Sequence, residues 1–351
     1  MIKRTKSMIL FYSDYLEGAH PEIIRRLGET NLEQTPGYGE DLYCEQAREV
    51  IRKECGLPDA DVHFLVGGTQ TNATVISSIL RPYQGVLCAS TGHINVHETG
   101  AIERSGHKVL PLQSRDGKIS AEQVREAMRS HFEDPMAEHT VQPGMLYISF
   151  PTELGTLYTS KELADLREVC TEWNIPLFLD GARLGYALAS EACDIDIKGI
   201  ASAVDVFYIG GTKQGTLFGE AVVIRSDALK KDFRYSIKQN GGMLAKGRLL
   251  GIQFLTMFED GLYYRIAGNA DRLARRITEA FRATGHSFLT ESPTNQVFPI
   301  LSPEEVKILS RDFGFEVWEK IDDDHIGVRF CTSWATREDQ ADALVKAIEA
   351  L

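Results

Sequence analysis

Between residues 62 and 224 the chain alternates short β-rich runs with longer stretches of apolar residues at helical spacing. No other feature limits the fold as strongly. Residues 62–66, 85–89, 108–112, 145–149, 176–180, 206–209 and 221–224 read as strands, and residues 69–80, 95–105, 121–132 and 160–173 read as helices. Such alternation predicts an α/β domain whose mostly parallel sheet is covered on both faces by helices.

From Met243 the character changes to long helical patterns over residues 246–258 and 261–284. An α+β region follows, with strands at 297–300, 315–318 and 327–330. The reading is an N-terminal arm and large domain over 1–245 and a small C-terminal α+β domain over 246–351. With 351 residues, 43% hydrophobic and 25% charged, the chain can bury both cores. No internal repeat is visible.

A net charge of −12 offers no basic field to a nucleic-acid backbone, so no nucleic-acid partner is expected. The apolar run at residues 8–12 ends at Ser13-Asp14, too short for a secretory h-region, and no stretch approaches a membrane span. A cytoplasmic location without membrane contact is the expectation. Cys44, Cys55, Cys88, Cys170, Cys193 and Cys331 form no C-x-x-C pair, which predicts neither a disulfide framework nor a metal site.

Three turns lie where an open α/β sheet gathers ligands, beyond the carboxyl ends of strands. Gly67-Gly68-Thr69-Gln70 joins a strand to a helix start, where free N–H groups and a threonine hydroxyl suit a phosphate. The same residues also read as a plain glycine turn capped by threonine. They fit neither the nucleoside-triphosphate loop nor the dinucleotide fingerprint, which disfavours a nicotinamide dehydrogenase. Asp180-Gly181-Ala182-Arg183 closes a buried apolar strand. Asp-Gly is commonly only a turn, but a pyridinium ring needs one carboxylate to keep its nitrogen protonated while it takes up electrons. Lys213 follows another apolar strand and stands among Gly210, Gly211 and Gly215. Most lysines are solvated surface groups; this setting suits a Schiff-base amine.

Taken in order, the phosphate turn, Asp180 and Lys213 resemble the fold type I pyridoxal 5'-phosphate (PLP) enzymes. That resemblance implies the PLP-dependent transferase-like (aspartate aminotransferase) fold. Within it, the chain is most similar to the threonine aldolase and aromatic amino acid β-eliminating lyase family, over nearly its whole length. Ser13-Asp14, Tyr38-Gly39-Glu40-Asp41, His93-Ile94 with Glu98 and Gly100, and Asp180-Gly181-Ala182-Arg183 match that family's motifs.

The resemblance implies that PLP is held by Lys213, Gly68, Thr69, Gln70 and Arg183, with Asp180 at the pyridine nitrogen and His93 stacked on the ring. It implies Ser13, Tyr38, Arg183, Lys238 and Arg329 around a small amino-acid substrate. Lys238 also reads as a surface charge, and His63 and His97 as structural histidines. Two departures stand out. Thr152-Glu153-Leu154 replaces the family's Thr-His-Asn, which makes Glu153 a candidate catalytic base, and Leu244 replaces an arginine, with Lys246 as a substitute. The implied reaction is retro-aldol cleavage of L-threonine or L-allo-threonine to glycine and acetaldehyde. β-Elimination from another amino acid is the alternative, and a non-catalytic amino-acid-binding protein a further one. A homodimer or homotetramer with the site at the subunit interface is implied as well.

Overall fold

The computed structural model describes residues 8–351; the first seven residues of the predicted N-terminal arm lie outside the described residues. A two-residue strand, β1 (Ile9–Leu10), opens it. All seven strands expected in the large domain form: β2 (Asp61–Leu65), β3 (Gln84–Ala89), β4 (Val109–Leu112), β5 (Gln142–Ser149), β6 (Leu177–Asp180), β7 (Val206–Gly210) and β8 (Glu220–Ile224). They make one sheet in the order β2-β8-β7-β6-β5-β3-β4. The β7–β6–β5–β3–β4 pairings are parallel, and only β8 runs against its neighbours β7 and β2.

Two-residue periodicity sends alternate side chains of each strand into opposite cores. Leu146, Ile148, Leu177, Leu179, Phe207 and Ile209 enter one; Met145, Tyr147, Phe178, Val206 and Tyr208 enter the other. Each fully buried Leu, Ile, Val or Phe contributes roughly 1.5–3 kcal/mol. The covering helices start where the sequence supplies caps: Ser120 and Gln123 form a capping box before Ala121–Phe132, and Thr159 and Glu162 one before Ser160–Glu172. The helix expected over 95–105 is broken into His93–Val96 and Ala101–Arg104. Thr99 at φ 52° and Gly100 at φ 73° are left-handed, a conformation that cannot continue an α-helix. The break tucks Glu98 inward.

Helix Arg248–Glu259, which the sequence reading puts beyond residue 245, is apolar all round. Its Leu250, Phe254 and Met257 join the large-domain core. The next helix, Leu262–Ala283, begins in that core with Leu262 and Tyr263 and ends in the small one with Ala274, Ile277 and Phe281. The small domain contains β9 (Phe288–Thr290), β10 (Gln296–Leu301), β11 (Phe313–Gly314), β12 (Glu316–Lys320) and β13 (Ile326–Cys331). β12-β13-β10-β9 form an antiparallel sheet, while β11 pairs with β1. Phe11 sits in the small-domain core, so the N-terminal arm is stitched to the opposite end of the chain. Among the described residues no helix is long and apolar enough to cross a membrane.

Candidate active site

The carboxyl ends of β2, β5, β6 and β7 open on one cavity of about 310 Å3, whose wall includes Gly68, Thr69, His93, Glu153, Asp180, Arg183 and Lys213. Residues far apart in the chain meet there because parallel strands present all their carboxyl ends on one edge.

Asp180 ends β6 and is buried. Its Oδ1 accepts hydrogen bonds from the Ala182 N–H at 3.0 Å and the Tyr208 hydroxyl. Its Oδ2 accepts from the Tyr147 hydroxyl at 2.5 Å and the Asn72 amide at 3.1 Å. Burial pushes this carboxyl up, but the charge of His93 and the donors Tyr147 and Tyr208 outweigh it and leave it below its ordinary value. Burial holds both tyrosine hydroxyls well above theirs, so they remain donors. Asp180 is thus a buried anion.

Lys213 lies on the turn after β7, where Tyr186 donates to its backbone carbonyl at 2.6 Å. Among the described residues no carboxylate lies within ion-pairing distance of its Nζ. Burial, then the Arg183 charge, lowers its amine below the ordinary 10.5. Gly181 and Gly210 are required here: an added Cβ would stand 1.9 Å from the Tyr208 carbonyl oxygen and 2.3 Å from that of Ala182. Glu220, at the start of β8, also lines the cavity; burial lifts its carboxyl to about 8, and its Oε2 accepts from the Gly211 N–H at 3.1 Å.

The helix Gly68–Ile79 begins at the cavity without a side-chain cap. Its first intrahelical bond runs from the Thr71 N–H to the Gly67 carbonyl, which leaves the N–H groups of Gly68, Thr69 and Gln70 without helical partners. The Gln70 side chain turns elsewhere, accepting from the Val66 N–H at 3.1 Å and donating to the Asn240 carbonyl at 2.9 Å.

His93 pairs through Nδ1 with Oε1 of buried Glu98 at 2.8 Å. Glu98 in turn accepts from the Asn72 amide at 2.8 Å, so one amide donates to both Glu98 and Asp180. Glu153 accepts on Oε1 from the His93 N–H at 2.9 Å and the Ser149 hydroxyl at 2.6 Å. Burial raises its carboxyl, and the Ser149 bond offsets only part of that rise. Arg183 makes a forked pair with fully buried Asp14, at 2.7 and 3.0 Å, and Asn295 donates to the same carboxylate at 2.9 Å.

Five of the expected residues are not on the cavity wall. Ser13 is buried beside Asp14, and Gln70 offers only its backbone. Tyr38 is exposed and lies 4.9 Å from Lys238 Nζ in a cation–π contact on another surface. Arg329, on β13, pairs with Glu316, donates to Gln296 at 3.0 Å and stacks 4.8 Å from the Trp318 ring. Lys246 is exposed, and His63 is held neutral by burial, its ring lowered to about 3. Sequence reasoning assigned no role to Asn72, Glu98, Tyr147, Ser149 or Tyr208. Two signals were visible: Glu98 stands in the family motif that begins at His93, and the two-residue spacing of Tyr147 and Ser149 puts both on the strand face that Asp180 shares through the Ser149–Asp180 pairing.

A family model described as β-eliminating lyase matches residues 11–303. The chain is 30% identical over 341 residues to a low specificity L-threonine aldolase of Pseudomonas aeruginosa, covering 96% of each. It is 25% identical over 285 residues to that of Escherichia coli, covering 78% of each. A solved structure of Leishmania major threonine aldolase superposes with a TM-score of 0.95 at 42% identity, covering 97% of this chain and 99% of that one. An aspartate aminotransferase from Thermus thermophilus superposes at 0.70 with 15% identity, a likeness of fold alone.

Proposed function

This chain belongs to the β-eliminating lyase family, and from that premise we propose that it is a PLP-dependent lyase cleaving β-hydroxy-α-amino acids such as L-threonine and L-allo-threonine to glycine and an aldehyde. The observation that carries this reading is the buried, four-times hydrogen-bonded Asp180 in one cavity with Lys213, whose amine meets no ion-pairing carboxylate among the described residues.

The cavity fits the cofactor group by group. Lys213 would supply the amine for its aldehyde and Asp180 the carboxylate for its ring nitrogen. The open N–H groups of Gly68, Thr69 and Gln70 would receive its phosphate, and His93 would lie against the ring. When bound, PLP supplies the electron sink that accepts the Cα–Cβ bonding pair.

The chain's own groups bind the substrate and move its protons. Arg183, already aligned by Asp14, forks onto the substrate carboxylate. Arg329, which lies off the cavity wall, would complete that grip if substrate binding drew the small domain closer. Glu153 takes the proton of the β-hydroxyl as the aldehyde departs, and a lysine amine kept below its ordinary value can return a proton to Cα. Tyr38 and Lys238 stand exposed together off this chain's own cavity, which supports a homodimer or homotetramer in which one copy presents them to another. Six free cysteines accord with a cytoplasmic enzyme.

Product analysis tests the reading: the PLP-loaded protein is incubated separately with L-threonine and L-allo-threonine, and acetaldehyde, glycine and 2-oxobutanoate are quantified. Acetaldehyde matched by glycine is expected, and Lys213→Ala abolishes it. Oxobutanoate without acetaldehyde moves the assignment to β-elimination. Amino-acid binding with neither product identifies a non-catalytic relative.

A further inference from the structure

Two carboxyls of the cavity, Glu153 and Asp180, are linked by polar contacts along two routes. One runs from Glu153 Oε1 to Ser149 Oγ (2.6 Å), to the Tyr147 hydroxyl (3.3 Å) and to Asp180 Oδ2 (2.5 Å). The other runs from Asp180 Oδ2 to the Asn72 amide (3.1 Å), to Glu98 Oε1 (2.8 Å) and to His93 Nδ1 (2.8 Å). It returns from the His93 backbone N–H to Glu153 Oε1 (2.9 Å). Seven residues close a ring.

Ser149 is the link with a choice. Its hydroxyl has one hydrogen and two acceptors in reach, Glu153 and Tyr147. An ionised carboxylate is the stronger acceptor, so an anionic Glu153 claims the hydrogen, while a protonated Glu153 releases it to Tyr147. The donors from neighbouring residues both fall on Oε1. Among the described residues no other residue donates to Oε2, which makes it the oxygen left for a substrate proton.

We propose that Ser149 is a positioning residue for the cleavage: its single hydrogen fixes the Glu153 carboxylate with Oε2 as proton acceptor and favours the anionic form that can accept. This rests on Glu153 being the acceptor of the hydroxyl proton. The charged and titratable groups facing Glu153 are Asp180 at the end of β6, His93, Tyr147 on β5, Cys88 on β3, Tyr158 and, across the cavity, Lys213. Among them, burial works against the Glu153 anion and the Ser149 bond works for it.

The test is the pH dependence of kcat/KM for aldehyde release by the holoenzyme in wild type, S149A, S149C, S149T and E153Q. Losing one neutral donor moves the acid limb of S149A upward by about 0.5–1 pH unit, a three- to tenfold loss below the limb. S149T restores the limb, and S149C, a weak donor of similar size, falls between, which also covers the case of an unstable S149A. An unmoved limb in S149A and S149C overturns the proposal even if the rate drops, since a merely structural loss lowers the rate at every pH. E153Q separates the two ideas: a loss of about 100-fold or more supports the premise, while a wild-type rate and limb in E153Q overturn Glu153 as the acceptor, whatever Ser149 does.

Discussion

Asp14 has no solvent exposure, and its carboxylate is shared between the Arg183 fork and the Asn295 amide. Burial raises this carboxyl, but Arg183, Lys213 and the two hydrogen-bonding partners hold it below its ordinary 3.8. The unfolded chain therefore takes up this proton first as pH falls. The stability it contributes is complete above 3.8 and is lost as pH drops through the lower folded value. Asp14→Asn leaves a buried guanidinium without its counter-charge, at a cost of about 3–5 kcal/mol. Urea unfolding at neutral pH should show that loss, with a shallower acid-side dependence than wild type, and a raised KM should report a misaligned Arg183. Motif reading singled out Ser13-Asp14 but gave the role to Ser13. A neighbouring residue with the stronger partner cannot be told apart until the arginine is seen to reach it.

At the scale of elements, β5, β6 and β7 carry the site because their register aligns Ser149 with Asp180 and brings Tyr208 within reach of Asp180. The glycines at the ends of β6 and β7 allow that approach. Gly181→Ala puts a methyl group into the Tyr208 carbonyl, and the strands must separate. The expected result is destabilisation by about 1–3 kcal/mol together with loss of the yellow holoprotein, measured by urea unfolding and by PLP titration. If cofactor affinity stays intact in a protein destabilised by that amount, the close strand approach does not hold Asp180. Strand positions were legible because each is a short run dominated by apolar, β-favouring residues. The break within 95–105 was not, because a lone glycine inside a helical pattern does not by itself mark a stop, and only the left-handed backbone at Thr99 and Gly100 reveals it.

Across the whole molecule, the small domain is built from both ends of the chain: β1 pairs with β11, and Phe11 packs among Phe281, Phe313 and Phe330. Phe11→Ala empties a fully buried site and should cost about 3–5 kcal/mol. Because Asp14 lies three residues on, the same change should also raise KM for the amino acid. Unfolding and steady-state kinetics on one preparation check both; a destabilised protein with unchanged KM would separate the arm from the site.

The order of strands and helices, the glycine turn, Asp180 and Lys213 were determined by the sequence itself, since periodicity and turn chemistry are local and each leaves a local mark. The assignment of helix Arg248–Glu259 to the large core, the partner of Arg183, the four donors on Asp180 and the ring through Ser149 and Asn72 were decided only by the tertiary structure. A hydrogen bond between residues 72 and 180, or 14 and 183, depends on where whole elements stop and how they pack. No spacing along the chain encodes that meeting.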